Sequence, residues 1–313
     1  MAVDFALAPA IVQAAAGYQA YMTRVVAIKP GFQNGDEVAS ALRSGESYDP
    51  QLLLRGQIAF AAVAALQDPA FVAEIRGYSI DPDGRRNLID ILDRDPNYVS
   101  AFKNAPSAAG LAVRALMDQG RDLETAGEAV KQSAYDMQHQ PWSTALVENR
   151  DQRLLTAKAL SVNTPIASID ETDRMRHAAE GSDPLPLTGQ PAAASPYPQV
   201  VVRGMTVAAL ALLGAAGQED ASLMEPLFDD PRDLACLSMA KLNLFQCLAV
   251  AKPHYEDVFC LGQHVMMDTA QCVRVAAGMP EAVVAPLAVS ATETPYAPKP
   301  RPSKSRARGK HKR

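Results

Sequence analysis

The sequence predicts an all-α protein, a multi-helix array with a disulfide-stapled helical hairpin near its C-terminus. Aromatic residues make up 6 % of the 313 residues and alanine is abundant, which favours close-packed helices over a sheet. Hydrophobic residues make up 48 % of the chain, enough to form a core. The third observation is that all four cysteines fall within residues 236–272.

The spacing of the cysteines predicts the hairpin. Cys236 and Cys247 lie on one segment, Cys260 and Cys272 on the next, and Pro253 stands midway between the two inner cysteines. A side chain about three turns further along a helix returns to nearly the same face. Because proline ends one helix and starts another, the two segments should fold back at Pro253. This geometry pairs Cys247 with Cys260 and Cys236 with Cys272.

The alternatives to the nested pairing are two other disulfide pairings, free thiols and a metal site. Pairing neighbours in the sequence would join cysteines about 16 Å apart along one helix, beyond the reach of a disulfide. The crossed pairing, with Cys236 bonded to Cys260, is geometrically poor. Four free thiols in the core and a metal site remain as alternatives, because free cysteine is a common buried residue.

Local signals place the helices along the chain. At Asp68-Pro69 an aspartate is positioned as N-cap and a proline in the first turn, which is typical of a helix start. The run 51–66 is apolar almost all round and should lie at the centre of the fold. In order, helices are predicted over 3–28 with an interruption at Gly17, then 36–42, 51–66, 70–78, 87–92, 97–102, 107–117, 123–137, 142–160, 200–214 and 220–227.

Composition divides the chain into four parts. An N-terminal helical domain is predicted over 1–160 and a C-terminal helical domain with the four-cysteine hairpin over 200–279. Residues 161–199 carry six prolines and few apolar residues, which indicates a solvated linker with at most one or two helical turns at 172–179. Residues 280–313 are predicted to be a disordered, proline-rich basic tail.

A degenerate two-fold repeat is a further hypothesis. Residues 52–66 and 200–214 share an aliphatic triplet, an Arg-Gly step and an alanine-rich run. An Asp-Pro step and a predicted helical pair follow each copy. The glycines should allow close helix contact, and Arg55 and Arg203 should pair with acids such as Glu74 or Glu225.

The sequence assigns no reaction. Cys260, His264 and Asp268 would share one helical stripe and could form a thiolate or metal site, but a disulfide at Cys260 removes that chemistry. Residues 79–90 resemble a calcium-binding loop superficially, yet Ser79 stands at the first ligand position and Asp90 replaces the bidentate glutamate, so an Asp-Pro-Asp-Gly turn is predicted. No phosphate-binding or nucleophile-elbow motif occurs. No catalytic residue, metal or cofactor is therefore predicted, and no small-molecule substrate is identified.

The basic end of the chain is the clearest interaction feature. Eight cations and no acid follow Glu293, although the net charge of the whole chain is −5. They are interleaved with proline, serine and glycine, so binding to an anionic polymer or membrane surface should be electrostatic and salt-dependent. The predicted anion-binding residues are Lys299, Arg301, Lys304, Arg306, Arg308, Lys310, Lys312 and Arg313.

Compartment and function follow from the disulfides. Stable disulfides require the periplasm or the exterior, yet the chain as given shows no signal peptide, so a leader would have to lie upstream. The longest apolar run, 205–217, is too short to span a bilayer. The expected function is a non-catalytic structural or interaction protein of the bacterial cell envelope with a basic anchoring tail and a possible protein partner. The alternatives are a cytoplasmic thiol- or metal-dependent enzyme using Cys260 and His264, and a nucleic-acid accessory protein acting through the tail.

Overall fold

A computed structural model describes residues 5–187 and 192–280, and it confirms the all-α prediction. The described ranges contain no strand, only two isolated β-bridges. A π-helix, Leu261–Met267, joins two of the α-helices. The α-helices are α1 (Pro9–Val26), α2 (Gly35–Glu46), α3 (Pro50–Ala65), α4 (Pro69–Tyr78), α5 (Pro82–Arg94), α6 (Ala105–Asp136), α7 (Pro141–Thr144), α8 (Arg150–Leu160), α9 (Ile169–Glu180), α10 (Gln199–Leu212), α11 (Ala221–Met224), α12 (Pro231–Val250), α13 (His254–Cys260) and α14 (Asp268–Ala276).

Asp-Pro steps start several of these helices. The aspartate side chain accepts hydrogen bonds from amides of the first turn, and the following proline occupies a position that needs no donor. The 3₁₀-helix Pro96–Ala101 begins in the same way. At Asp81 this arrangement accounts for the segment that resembles a calcium loop, because its carboxylate accepts from the amide of Gly84 at 2.9 Å. The aspartates that act as N-caps are Asp49, Asp68, Asp81, Asp95 and Asp230.

Helix α3 forms the centre of the core, as its composition predicts. It packs against α1, α6, α10 and α12, and nearly all of its residues after Leu52 are buried. α10 is buried to a similar extent. Burying an alanine-rich helix on several faces requires neighbours that approach its backbone closely, since alanine side chains are short.

The two Arg-Gly steps provide this close approach. A Cβ added at Gly56 would lie 2.6 Å from the carbonyl oxygen of Ala14 on α1, and one at Gly204 would lie 2.9 Å from the amide nitrogen of Ala62 on α3. The predicted role of the glycines is therefore confirmed. Arg55 forms the predicted ion pair with Glu225, at 2.8 Å.

Arg203 was predicted to pair with an acidic side chain, and this prediction is wrong. Its guanidinium donates to the carbonyl oxygen of Pro226 at 2.9 Å. Glu74, the other acid expected to pair with an arginine, instead accepts from the backbone amides of Lys103 and Asn104, ahead of α6. A carboxylate is favoured there because the first amides of a helix lack intrahelical partners.

Helix α6 replaces the predicted pair over 107–117 and 123–137. The chain stays helical through Gly120, which was expected to form a turn. A Cβ at Gly120 would collide with the side chain of Arg274 on α14, and one at Gly127 would lie 2.8 Å from Met266. These glycines allow the C-terminal hairpin to pack closely against α6, and they do not break the helix. The correspondence between the helical pairs of the proposed repeat is therefore wrong, and the likeness is limited to α3 and α10.

Other helix predictions also differ from the structure. The helix predicted over 220–227 is α11 followed by a 3₁₀-helix, and the turn predicted after Asp81 is the first turn of α5. α1 is continuous through Gly17, where an interruption was expected. The helix predicted over 142–160 is divided into α7 and α8, because residues 145–147 pair with 252–254 through backbone hydrogen bonds and Asn149 precedes α8 in a left-handed conformation at φ 51°. Asparagine tolerates this conformation better than most residues, which favours a helix start at this point.

The predicted linker over 161–199 does not separate two domains. The described residues 5–187 and 192–280 belong to one compact unit. α9, with a capping box between Ser168 and Glu171, packs against α1 and buries Met175. The high proline content therefore marks an irregular path over the core, along which most of the described residues remain exposed. Residues 281–313, with all eight predicted anion-binding cations, lie outside the described ranges.

Helix α12 has the length and composition of a membrane-spanning helix, which the search for uninterrupted apolar runs missed. It holds 20 residues with a mean hydropathy of 1.3 in its most apolar window, of which 33 % is buried. α3 and α4 reach this length and hydropathy only together, and they are bent by 91° relative to each other. Core helices also have these properties, and α12 is bonded to its neighbours through Cys236 and Cys247. Of the run 205–217, which was expected to form a core helix, residues 205–212 lie in the buried α10.

Candidate functional site

The C-terminal hairpin contains both predicted disulfides. Cys236 of α12 is bonded to Cys272 of α14, and Cys247 of α12 to Cys260 of α13, with a Cα–Cα distance of 5.7 Å in each case. The pairs nest about the bend at Pro253 as the spacing predicts. Since all four cysteines are described and bonded, none provides a free thiol.

Two arginines of α8 hold the bend of this hairpin. Arg150 donates to the carbonyl oxygen of Ala251 at 2.8 Å, and Arg153 donates to that of Leu248. Arg153 also forms a buried ion pair with Asp257 on α13. Cations at the C-terminus of α12 satisfy its free carbonyls and oppose the partial negative charge of the helix end. Sequence reasoning missed both residues, because nothing in the sequence connects α8 to a hairpin about 100 residues away.

His264 acts as a structural partner of Asp268. Their side chains are 2.8 Å apart, and Gln263 and Asn243 also hydrogen-bond to the same carboxylate. Burial alone would raise the pKa of Asp268, but these hydrogen bonds outweigh burial and lower it. Because the Cys260 sulfur is in a disulfide, it provides no thiolate for the thiol or metal chemistry considered for Cys260 and His264. No metal-binding group of three or more ligating side chains occurs among the described residues.

Lys241 of α12 is buried, and no role was predicted for it from the sequence. Its ammonium donates to the backbone carbonyl of Glu46 and lies 3.5 Å from the centroid of the Tyr48 ring. Burial lowers the pKa of Lys241 to about 7, and burial raises the pKa of the Glu46 carboxyl to about 7. The sequence held a signal for this site: Lys241 lies on the same helical stripe as the buried Leu237 and Leu244. This lysine ties α12 to the end of α2.

Asp233, in the first turn of α12, is a second buried charge. Its side chain is next to that of Asp230, and its Oδ2 atom has no hydrogen-bond partner among the described residues. Burial, followed by the charge of Asp230, raises the pKa of Asp233 to about 7, while Arg232 acts in the opposite direction. A raised pKa means that the folded protein binds this proton more tightly than the unfolded chain does.

We therefore expect Asp233 to make stability fall as the pH rises. Its contribution is fully present below the unfolded pKa near 3.8 and is lost as the pH passes about 7. Urea unfolding from about pH 4 to about pH 8 should show a loss of up to about 4 kcal/mol that Asp233→Asn removes. The exposed neighbour provides the control, since Asp229→Asn should keep the wild-type pH dependence. An identical pH dependence in Asp233→Asn and the wild type would contradict this assignment.

Comparison of the chain with protein-family models, with curated proteins and with solved structures gives no match.

Proposed function

We propose that this protein is a non-catalytic structural or interaction protein of an oxidising compartment, the bacterial cell envelope, with a basic tail that attaches it to an anionic surface. The observation that carries the proposal is the pair of nested disulfides in the hairpin. Disulfides persist in secreted and periplasmic proteins and are rare in a reducing cytoplasm.

The use of the reactive side chains supports a structural role. Cys260 is in a disulfide, His264 holds the Asp268 carboxylate, and Lys241 is engaged by a carbonyl and an aromatic ring. A catalytic thiolate, imidazole or amine needs an approach for substrate, whereas Cys260 and Lys241 are buried. These groups stabilise contacts between helices.

The basic tail supplies the proposed attachment. Its cations lie after Glu293 without an intervening acid, and the sequence 298–313 contains no aromatic residue for stacking on bases. Binding through such a segment depends on charge density and weakens as salt is added. Membranes rich in anionic lipid and acidic wall polymers present this charge in the cell envelope.

A count of free thiols in the native protein tests the compartment. Protein isolated from its source without reductant should show no reactive thiol after denaturation in an alkylating reagent, as judged by intact mass. The same sample after reduction should take up four alkyl groups, one per cysteine. Four reactive thiols before reduction would contradict an oxidising compartment.

Truncation after Thr292 tests the tail. Retention of the full chain on vesicles containing phosphatidylglycerol, or on acidic wall polymer, should exceed that of the truncated chain and should fall with added salt. A full-length variant with the eight tail cations replaced by glutamine separates charge from length. Retention on DNA but on neither envelope material would favour the nucleic-acid alternative and contradict the proposal.

A further inference from the structure

A strap of residues 161–168 crosses the outer side of α1. Pro165 is buried, and its carbonyl oxygen lies directly against Gly17, where a Cβ would collide with it. Arg24 donates to the carbonyl oxygen of Ile166 at 2.9 Å, which fixes the strap further along the same helix. Two surface cavities lie beside the strap, and Ile166 lines both of them.

The first cavity is an apolar groove of about 580 Å³ between α1, α3, α9 and the strap. Ile166 and Ile169 border it with exposures of 72 % and 80 %, so two large aliphatic side chains face water beside an apolar surface. The volume lies in the range of pockets that hold small molecules. An apolar ligand would cover these side chains and gain their burial energy. The apolar lining residues are Ala10, Ala14, Leu52, Pro165, Ile166, Ala167 and Ile169.

The second cavity, of about 620 Å³, is polar and rich in hydrogen-bond donors. Arg24 and Arg43 project into it together with hydroxyl groups from α2 and the residues that follow it, and no aspartate or glutamate lines it. Arg43 is exposed and has no ion-pair partner within the described ranges. Guanidinium and hydroxyl groups together bind oxyanions through charge-assisted hydrogen bonds. These hydroxyls belong to Ser40, Ser44 and Ser47, and the strap adds that of Thr164.

The charges around the second cavity favour an anion. Arg24 lies near the Glu171 carboxylate of α9, which is held by its capping box with Ser168 and lines neither cavity. Glu46 is near Arg43, but burial raises its pKa to about 7. The arginines therefore retain donors that no carboxylate of this cavity occupies, because the lining itself is free of acids.

We propose that the two cavities together bind one amphipathic ligand, a single acyl or alkyl chain that ends in an oxyanion. The chain occupies the apolar groove, crosses the strap at Ile166, and places its head group between Arg24 and Arg43. Arg24 lies about 16 Å further along α1 than Gln13, a lining residue of the groove, at a rise of roughly 1.5 Å per residue. That separation suits a chain of medium length better than a short carboxylate.

The contributions of chain and charge can be separated with simple probes. Decanoate and decyl phosphate carry both parts, decanol lacks the charge, and acetate lacks the chain. In calorimetric titrations of the full-length protein below the micellar concentration, the two ten-carbon anions should bind saturably. Decanol and acetate should each bind at least about tenfold more weakly. Tighter binding of decanoate would assign a free fatty acid, and tighter binding of decyl phosphate would assign a lipid phosphate.

Two variants test the assignment of the cavities. Arg43→Gln should weaken binding of decanoate about tenfold, because it removes a charged donor that has no structural ion pair. Ala10→Trp should weaken binding to a similar degree by filling the exposed end of the groove. Arg94→Gln, an exposed substitution that lines neither cavity, is the matched control and should bind as the wild type does.

Unchanged thermal unfolding would show that each variant remains folded. Saturable binding that falls in Arg43→Gln and Ala10→Trp but not in Arg94→Gln supports the proposal. Absence of saturable binding by the wild type would overturn it, as would decanol binding as tightly as decanoate. Equal binding by Arg43→Gln and the wild type would overturn it as well.

Discussion

Replacing both Cys236 and Cys272 by alanine is expected to lower the free energy of unfolding by about 4 kcal/mol. The bond closes the larger loop of the hairpin, with a sequence separation of 36, and a longer loop restricts the unfolded chain more. The inner bond, between Cys247 and Cys260, spans 13 residues and should contribute about 3 kcal/mol. Urea unfolding of both double variants and of the wild type measures these differences.

The matched control is chemical reduction of the wild type. The free energy of unfolding measured in the presence of reductant should be lower than that of either double variant, because both loops are then open. Cys272 is buried, so alanine is chosen over serine to avoid leaving an unpaired hydroxyl in the core. If both double variants unfold at the same urea concentration as the oxidised wild type, the disulfides do not stabilise the hairpin.

Substituting Gly204 by valine is expected to cost about 3 kcal/mol or to prevent folding. A Cβ at this position would lie 2.7 Å from the Ala61 Cβ and 2.9 Å from the Ala62 nitrogen. The opposing atoms include backbone of α3, which cannot rotate away as a flexible side chain can. α10 would have to move away from α3, which would leave a gap in the packing between these two alanine-rich helices.

Gly77 provides the control for this substitution. It lies within α4, is exposed, and has no atom within 4 Å of an added Cβ. Gly77→Ala should raise the free energy of unfolding by about 0.5 to 1 kcal/mol, because alanine restricts the unfolded chain and favours helix. Thermal unfolding of both variants measures the contrast. Unchanged stability in Gly204→Val would contradict close packing of α3 and α10.

The hairpin could be predicted because its information is local in the sequence. Four cysteines arranged symmetrically about Pro253 leave one pairing that keeps the register of two antiparallel helices. The Arg-Gly steps were informative for the same reason, since a glycine within an apolar helix predicts a close neighbour even when the neighbour is unknown. The Asp-Pro steps likewise predict where helices begin.

The errors arose where a residue's role depends on a distant partner. The sequence around Gly120 is typical of a turn, yet Gly120 lies within a continuous helix and faces Arg274. The proline-rich segment 161–199 was predicted to be a solvated linker. Its path is fixed by contacts with α1, which the amino-acid composition does not reveal. The arginines of α8 and the apolar groove depend on the same long-range arrangement. Local propensity cannot identify such contacts.

Peptide mapping without reduction tests the central claim most directly, since the account depends on the nested hairpin. The native protein, alkylated and digested under non-reducing conditions with chymotrypsin, which can cleave between neighbouring cysteines, should give one linked peptide pair containing Cys236 and Cys272 and another containing Cys247 and Cys260. Both pairs should separate on reduction. Recovery of Cys236 linked to Cys260, or of all four cysteines as alkylated monomers, would contradict the nested hairpin and remove the basis for placing the protein in an oxidising compartment.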